Sequence, residues 1–199
     1  MKKLLAILLV LLFCNTLYGK TENDTGKNST SIDLWTGYSP LSSAFFAKMR
    51  NTRLILMGMG FNYATINMGD RELQLSSEIT LFGTINFPID GISGPRSQSS
   101  GLGVVPIRIT FPFTRDTSGN FPFAEAGFGL FLFEDRFPNK DGTLLNVTLD
   151  FGLGYNLKIT NSKSLAVGYR FHHLSNAGIG AVNPGLDSNI ILLRIRTNL

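Results

Sequence analysis

The chain is short of cysteine, of long apolar runs and of charge, and each shortage removes a class of function. Cys14 is its only cysteine among 199 residues, so no internal disulfide and no cluster of zinc-binding cysteines can form. After residue 14 no run approaches the ~20 apolar residues that a membrane-spanning helix needs, although 43% of the residues are hydrophobic and 16 are phenylalanine. Charged residues make up only 16% and the formal net charge is +4, which is too near neutral to imply a nucleic-acid partner. Phosphate loops, HExxH, CxxC and dinucleotide fingerprints are missing as well, so no cofactor and no metal is expected.

What is present begins with an export signal. Met1-Lys2-Lys3 precedes the apolar run Leu4–Cys14, and Asn15–Gly19 leads into the polar stretch Lys20–Thr30, which is the layout of a secretory signal peptide. Residues 1–19 are read as that signal, 20–30 as a polar N-terminal segment and 31–199 as a single β-domain. The bulky Phe13 ahead of Cys14 argues against lipid attachment there. Cleavage after Gly19 removes Lys2, Lys3 and the cysteine, lowering the formal charge from +4 to +2.

The apolar residues recur with period two. In 145–159, Leu145, Val147, Leu149, Phe151, Leu153, Tyr155, Leu157 and Ile159 alternate with polar residues or glycine, so one face of a strand is wholly apolar. Such a segment is longer than the ~5–6 residues of a typical soluble strand and exceeds the ~9–11 that cross a bilayer. Segments 31–38, 52–64, 71–87, 104–113, 121–134, 163–175 and 187–198 fit the same template. The pattern predicts an all-β fold, an eight-stranded antiparallel transmembrane β-barrel of the outer-membrane type. Glu78, Arg108, Asp150, Lys158, Arg170 and Arg194 then point inward, where charges can pair away from lipid. Val105, Ile107, Ile109 and Phe111 are read as one outward set, and Pro106 and Pro122 as marking strand starts or bulges. The glycine pairs Gly58/Gly60, Gly127/Gly129 and Gly152/Gly154 read as small inward residues.

Connectors 39–51, 88–103, 135–142 and 176–186 are long or moderate, while 65–70, 114–120 and 160–162 are shorter. Outer-membrane barrels keep short turns in the periplasm, so the 176–186 loop is expected outside the cell. A homodimer is compatible with this pattern, which specifies no oligomeric state.

Residues 171–187 hold the candidate chemistry. Counting by twos from Leu165, Val167, Tyr169 and Phe171 places His173 and Ser175 on the outward face, with His172 inward, and counting back from Ile191 places Asp187 outward too. A serine becomes nucleophilic when an imidazole takes its proton, and the imidazole needs an acid to fix its tautomer. The string His173-Leu-Ser175-Asn176-Ala177-Gly178, followed by Asn183, Gly185 and an acid at 187, resembles the C-terminal signature of PagL-type lipid A 3-O-deacylases. The resemblance covers about the last twenty-five residues. It implies an outer-membrane esterase that removes the 3-linked acyl chain of lipid A (lipopolysaccharide) with a histidine, a serine and a glutamate. Asp187 is one methylene shorter than that glutamate, so its backbone must sit closer to His173. Asn176, through its side chain, and Gly178, through its N–H, are the candidate oxyanion donors. A non-enzymatic barrel, an adhesin or membrane-stabilising protein, would explain the strands but not this constellation. An acyltransferase barrel would share the lipid and differ in product.

Overall fold

A computed structural model describes residues 30–68, 71–114, 117–183 and 185–199, without the side chain of Arg71. The expected signal peptide and all but the last residue of the polar segment 20–30 lie outside the described residues. The elements in chain order are β1 (Ser31–Ser39), β2 (Ser42–Ser43), β3 (Arg53–Met68), β4 (Arg71–Pro88), β5 (Arg96–Pro112), β6 (Phe121–Phe137), β7 (Thr143–Lys158), β8 (Lys163–Ser175) and β9 (Leu186–Asn198). Sequential long strands pair antiparallel and β1 also pairs with β9. Eight long strands therefore close into a barrel, and β2 is a stub on the start of β9. Closure satisfies the backbone without an open edge, as a strand structure in lipid requires.

The large apolar side chains are the exposed ones. Phe151 on β7 is 49% exposed, Leu153 59%, and Ile191 on β9 63%, while their neighbours Asp150, Gly152 and Ile190 face inward. A water-soluble barrel would show the reverse. The interior is filled in layers. Toward the end that carries connectors 40–52, 89–95, 138–142 and 176–185, a plug of Leu54, Ile85, Phe87, Phe131, Phe133, Leu174 and Ile190 closes the lumen. At the other end, with the shorter turns and both described termini, a polar cavity of about 250 Å³ is lined by residues that include Asn62, Asn156, Lys158 and Arg196.

Between them lies a buried charge network. Arg108 reaches Glu78 at 3.0 Å and Glu125 at 3.4 Å and also pairs with Asp150. Arg170 reaches Glu78 at 3.1 Å and Glu125 at 2.7 Å, and Arg194 reaches Glu78 at 3.2 Å and Glu125 at 2.8 Å. Five of the six charges expected inside are thus buried and paired. Lys158 keeps the inward phase but stands exposed at the barrel mouth. Glu125, which the period-two reading did not single out, touches all three arginines. Removing one member leaves buried guanidinium uncompensated, so Glu125→Ala is expected to lower stability by about 3–5 kcal/mol. Urea unfolding in lipid vesicles measures this, and an unchanged midpoint would remove the network from the stability account.

Three differences from the sequence pattern have physical causes. The Arg96–Gly103 stretch, expected in a connector, is strand, because Ser97–Gly101 pair with Gly83–Phe87 of β4 although they carry no apolar alternation. Register shifts at Thr80/Gly83 and Val104/Ile107 break strict period two. Leu81 and Phe82 therefore both face out before Gly83, Ile85 and Phe87 turn in, and Val105 is buried, not outward with Ile107. Pro106 lies within the second shift, as a proline without a ladder N–H should. The inward glycines are needed for space: a Cβ on Gly154 would stand 2.5 Å from the Phe123 ring, and one on Gly127 3.1 Å from the Arg108 guanidinium.

Candidate active site

The ladder that carries the site has no irregularity. Pairs β7–β8 and β8–β9 advance one residue at a time from Lys158↔Ser164 to Val147↔Ser175 and from Lys163↔Thr197 to Leu174↔Leu186. The outward phase of Tyr169 and Phe171 therefore continues to His173 and Ser175, and His173 stands directly opposite Asp187. His172 faces the lumen, where its Nδ1 lies 2.6 Å from Asp150 Oδ1.

His173 Nδ1 is 2.6 Å from Asp187 Oδ1. Asp187 is buried, whereas the His173 side chain is 19% exposed. The other carboxylate oxygen, Oδ2, accepts backbone N–H from Phe45 at 2.9 Å, Phe46 at 2.6 Å and Ala47 at 2.9 Å. Three successive amides pointing at one oxygen form an anion-binding concavity, and hydrogen bonds to an ionised acceptor are strong ones. With a carboxylate against Nδ1, that nitrogen carries the proton and Nε2 is left as the acceptor.

The loop after Ser175 is organised by Asn176. Ala177 (φ 53°) and Gly178 (φ 79°) both take the left-handed conformation, which glycine adopts freely and alanine does not. Asn176 holds the turn: its Oδ1 accepts the Gly178 N–H at 3.0 Å, its Nδ2 donates to Val182 O at 2.9 Å, and its own N–H donates to Asn183 Oδ1 at 3.1 Å. Gly185 (φ 63°) then leads into β9, with its missing Cβ 3.5 Å from His173 Cε1 and 3.2 Å from the Ala47 Cβ.

His173 and Ser175 share the lining of an open cavity of about 360 Å³ with Phe46, Lys48, Leu149, Asn183 and Gly185. Among the described residues no hydrogen bond joins His173 to Ser175 in this conformation; such bonds are often long before substrate binds. Asn176 and Gly178 do not line the cavity, and the Gly178 N–H is engaged by Asn176. Sequence reasoning gave Asn183 no role and did not single out Phe46 or Lys48. Asn183 lies inside the family-like string, so that string could have pointed to it; Phe46 and Lys48 come from a distant connector with no local signal.

Below this cavity the outer wall carries a second, apolar depression of about 450 Å³, lined by residues that include Phe111, Ala124, Ala126, Phe151 and Phe171. Phe171 is two residues below His173 on the same face, and the Phe45 and Phe46 rings contact it at 6.2 and 6.0 Å.

The family model for lipid A 3-O-deacylase (PagL) matches residues 83–196, more than half of the chain. The chain belongs to the PagL family. No curated protein matches it in sequence. A crystal structure of the outer membrane enzyme PagL superposes with a TM-score of 0.61 at 20% identity, covering 81% of this chain and 97% of that one. That of Neisserial surface protein A superposes at 0.57 with 12% identity, covering 85% and 97%. At these identities the superpositions establish the barrel fold, while the family match carries the function at family level, lipid A deacylation. This PagL-family barrel, with its apolar exterior, is an outer-membrane protein.

Asn176→Ala should remove the bonds to the Gly178 N–H and the Val182 carbonyl together. Gly178 is exposed and Val182 half-buried, so water replaces the lost partner and each bond costs about 0.5–1.5 kcal/mol. Turnover is expected to fall as proteolytic nicking within 177–185 rises. Lost turnover with no change in nicking would instead mean that Asn176 acts on the substrate.

Proposed function

We propose that this protein hydrolyses the 3-O-linked acyl ester of lipid A by serine esterase chemistry, with Ser175 as nucleophile, His173 as general base and then acid, and Asp187 as the orienting acid. The observation that carries the reading is the His173–Asp187 pair at 2.6 Å, set beside Ser175 on the outside of a barrel whose exterior is apolar. A soluble substrate gains nothing from a site on a lipid-facing wall, whereas an ester embedded in a membrane meets it there.

In the first step Ser175 Oγ bonds to the acyl carbonyl carbon as its proton passes to His173 Nε2. The tetrahedral adduct then collapses, the bond to the sugar oxygen breaks, and His173 returns the proton to that oxygen. Water, activated by the same imidazole, cleaves the acyl-serine and releases the fatty acid. The apolar depression below Phe171 suits the departing chain. The negative oxygen needs preorganised donors. Gly178 can serve only if its N–H leaves Asn176 Oδ1, and Asn176 itself is committed to the loop. Asn183 lines the same cavity as Ser175 and its Oδ1 is held by the Asn176 N–H, so the donor assigned to the oxyanion in this reading is its Nδ2. The long-loop end faces outward from the cell in this reading, since that leaflet holds lipopolysaccharide.

Incubating purified, folded protein with lipopolysaccharide in mixed micelles tests hydrolysis against transfer. Free fatty acid released in step with 3-deacylated lipid A supports the esterase. Transfer of the acyl chain to an acceptor lipid without free acid would make the barrel an acyltransferase.

A further inference from the structure

We propose that the loop segment Phe45–Ala47 is a positioning element of this reaction: its backbone N–H groups hold Asp187 behind His173, and its two phenylalanine rings seat it in lipid. This rests on the esterase reading. The segment lies far from Asp187 in sequence, yet three of its successive amides converge on Asp187 Oδ2 at 2.6–2.9 Å. Oδ1 meanwhile meets His173 at 2.6 Å. Asp187 is therefore clamped from two sides, and the loop decides where the imidazole stands.

The two phenylalanine side chains of this clamp are exposed, while that of Ala47 is buried. Phe45 is 76% exposed and Phe46 63%. Adjacent exposed phenylalanines are unfavourable in water and ordinary in the aromatic girdle of a membrane barrel. Their rings pack edge to face at 4.6 Å, touch the lipid-facing Phe171, and Phe46 lies 5.8 Å from the His173 ring. Lipid covering Phe45 and Phe46 presses the loop onto the wall and its amides onto the carboxylate. Turnover then depends on the lipid surface as well as on the substrate.

Two variant pairs test this in vesicles containing lipopolysaccharide, with barrel folding checked by heat-dependent gel mobility. Ala47→Pro deletes one of the three donors, and misplacing a catalytic group in this way should lower kcat by about 10- to 100-fold. KM should stay within about twofold, since the lost contact is not with substrate. Ala47→Gly restores the N–H and should recover kcat relative to Ala47→Pro. The double variant Phe45→Ser/Phe46→Ser should lose kcat, and Phe45→Leu/Phe46→Leu should recover much of it by restoring an apolar seat. If Ala47→Pro does not fold, the phenylalanine pair decides alone. Wild-type kcat in Ala47→Pro and in the serine double variant overturns the inference, as does a rise in KM alone, which would make the loop a substrate contact. Should Ser175→Ala be inactive while those variants keep the wild-type rate, only this inference falls. An active Ser175→Ala removes the esterase reading and the inference with it.

Discussion

His173→Ala is expected to lower kcat by about four orders of magnitude or more, while His172→Phe keeps most of the activity, although the two histidines are neighbours in sequence. Period two places them on opposite sides of the wall. His173 shares an outward cavity with Ser175 and is held by Asp187, whereas His172 is enclosed with Asp150. His172→Phe leaves Asp150 with Arg108 as a charged partner, so its effect should appear in the unfolding midpoint more than in turnover. Release of fatty acid from lipopolysaccharide, measured on both purified variants, separates these outcomes. An inactive His172→Phe beside an active His173→Ala would place the chemistry in the lumen and defeat the assignment.

The second large effect is expected at Asp187. In Asp187→Asn the side-chain oxygen stays on the amides of Phe45, Phe46 and Ala47, and the NH₂ turns toward His173 Nδ1. That nitrogen must then accept, the proton moves to Nε2, and the imidazole can no longer take the serine proton. A wrong tautomer of this kind lowers kcat by roughly 10⁴-fold, with substrate binding little changed. Asp187→Glu restores the residue type that the family resemblance implies. The carboxylate is already fully enclosed, however, with both oxygens engaged at 2.6–2.9 Å. An added methylene cannot keep both sets of bonds, and a loss of about tenfold or more is expected from the displaced histidine. Steady-state kinetics on the two variants reads the order directly: wild type, then glutamate, then asparagine. A wild-type rate for Asp187→Asn would show that another group sets the tautomer.

Much of this architecture is legible in the sequence because a membrane barrel repeats one rule. The alternation in 145–159 and 163–175 survives intact, and the unbroken register of β7, β8 and β9 is why counting by twos brings His173, Ser175 and Asp187 to one face. The rule fails where the chain leaves it. Bulges at Thr80/Gly83 and Val104/Ile107 reverse the facing of Ile85 and Val105 with no local signal beyond Pro106. Arg96–Gly103 is polar and glycine-rich, so it reads as a loop although its backbone is paired. The hold on Asp187 was illegible for a different reason: it is made by backbone amides of Phe45–Ala47, and any sequence can present those. Asn176 stands in the motif, but its work on the turn depends on partners that only the folded loop brings together.

Mass spectrometry of lipid A from cells that express this protein, beside cells that express Ser175→Ala at equal outer-membrane levels, tests the central claim most directly. The account predicts that wild type yields lipid A lighter by one 3-linked acyl chain, with that acid appearing free, while Ser175→Ala leaves lipid A intact. Identical lipid A from both strains and from cells without the protein would contradict it, as would equal loss of the chain with Ser175→Ala.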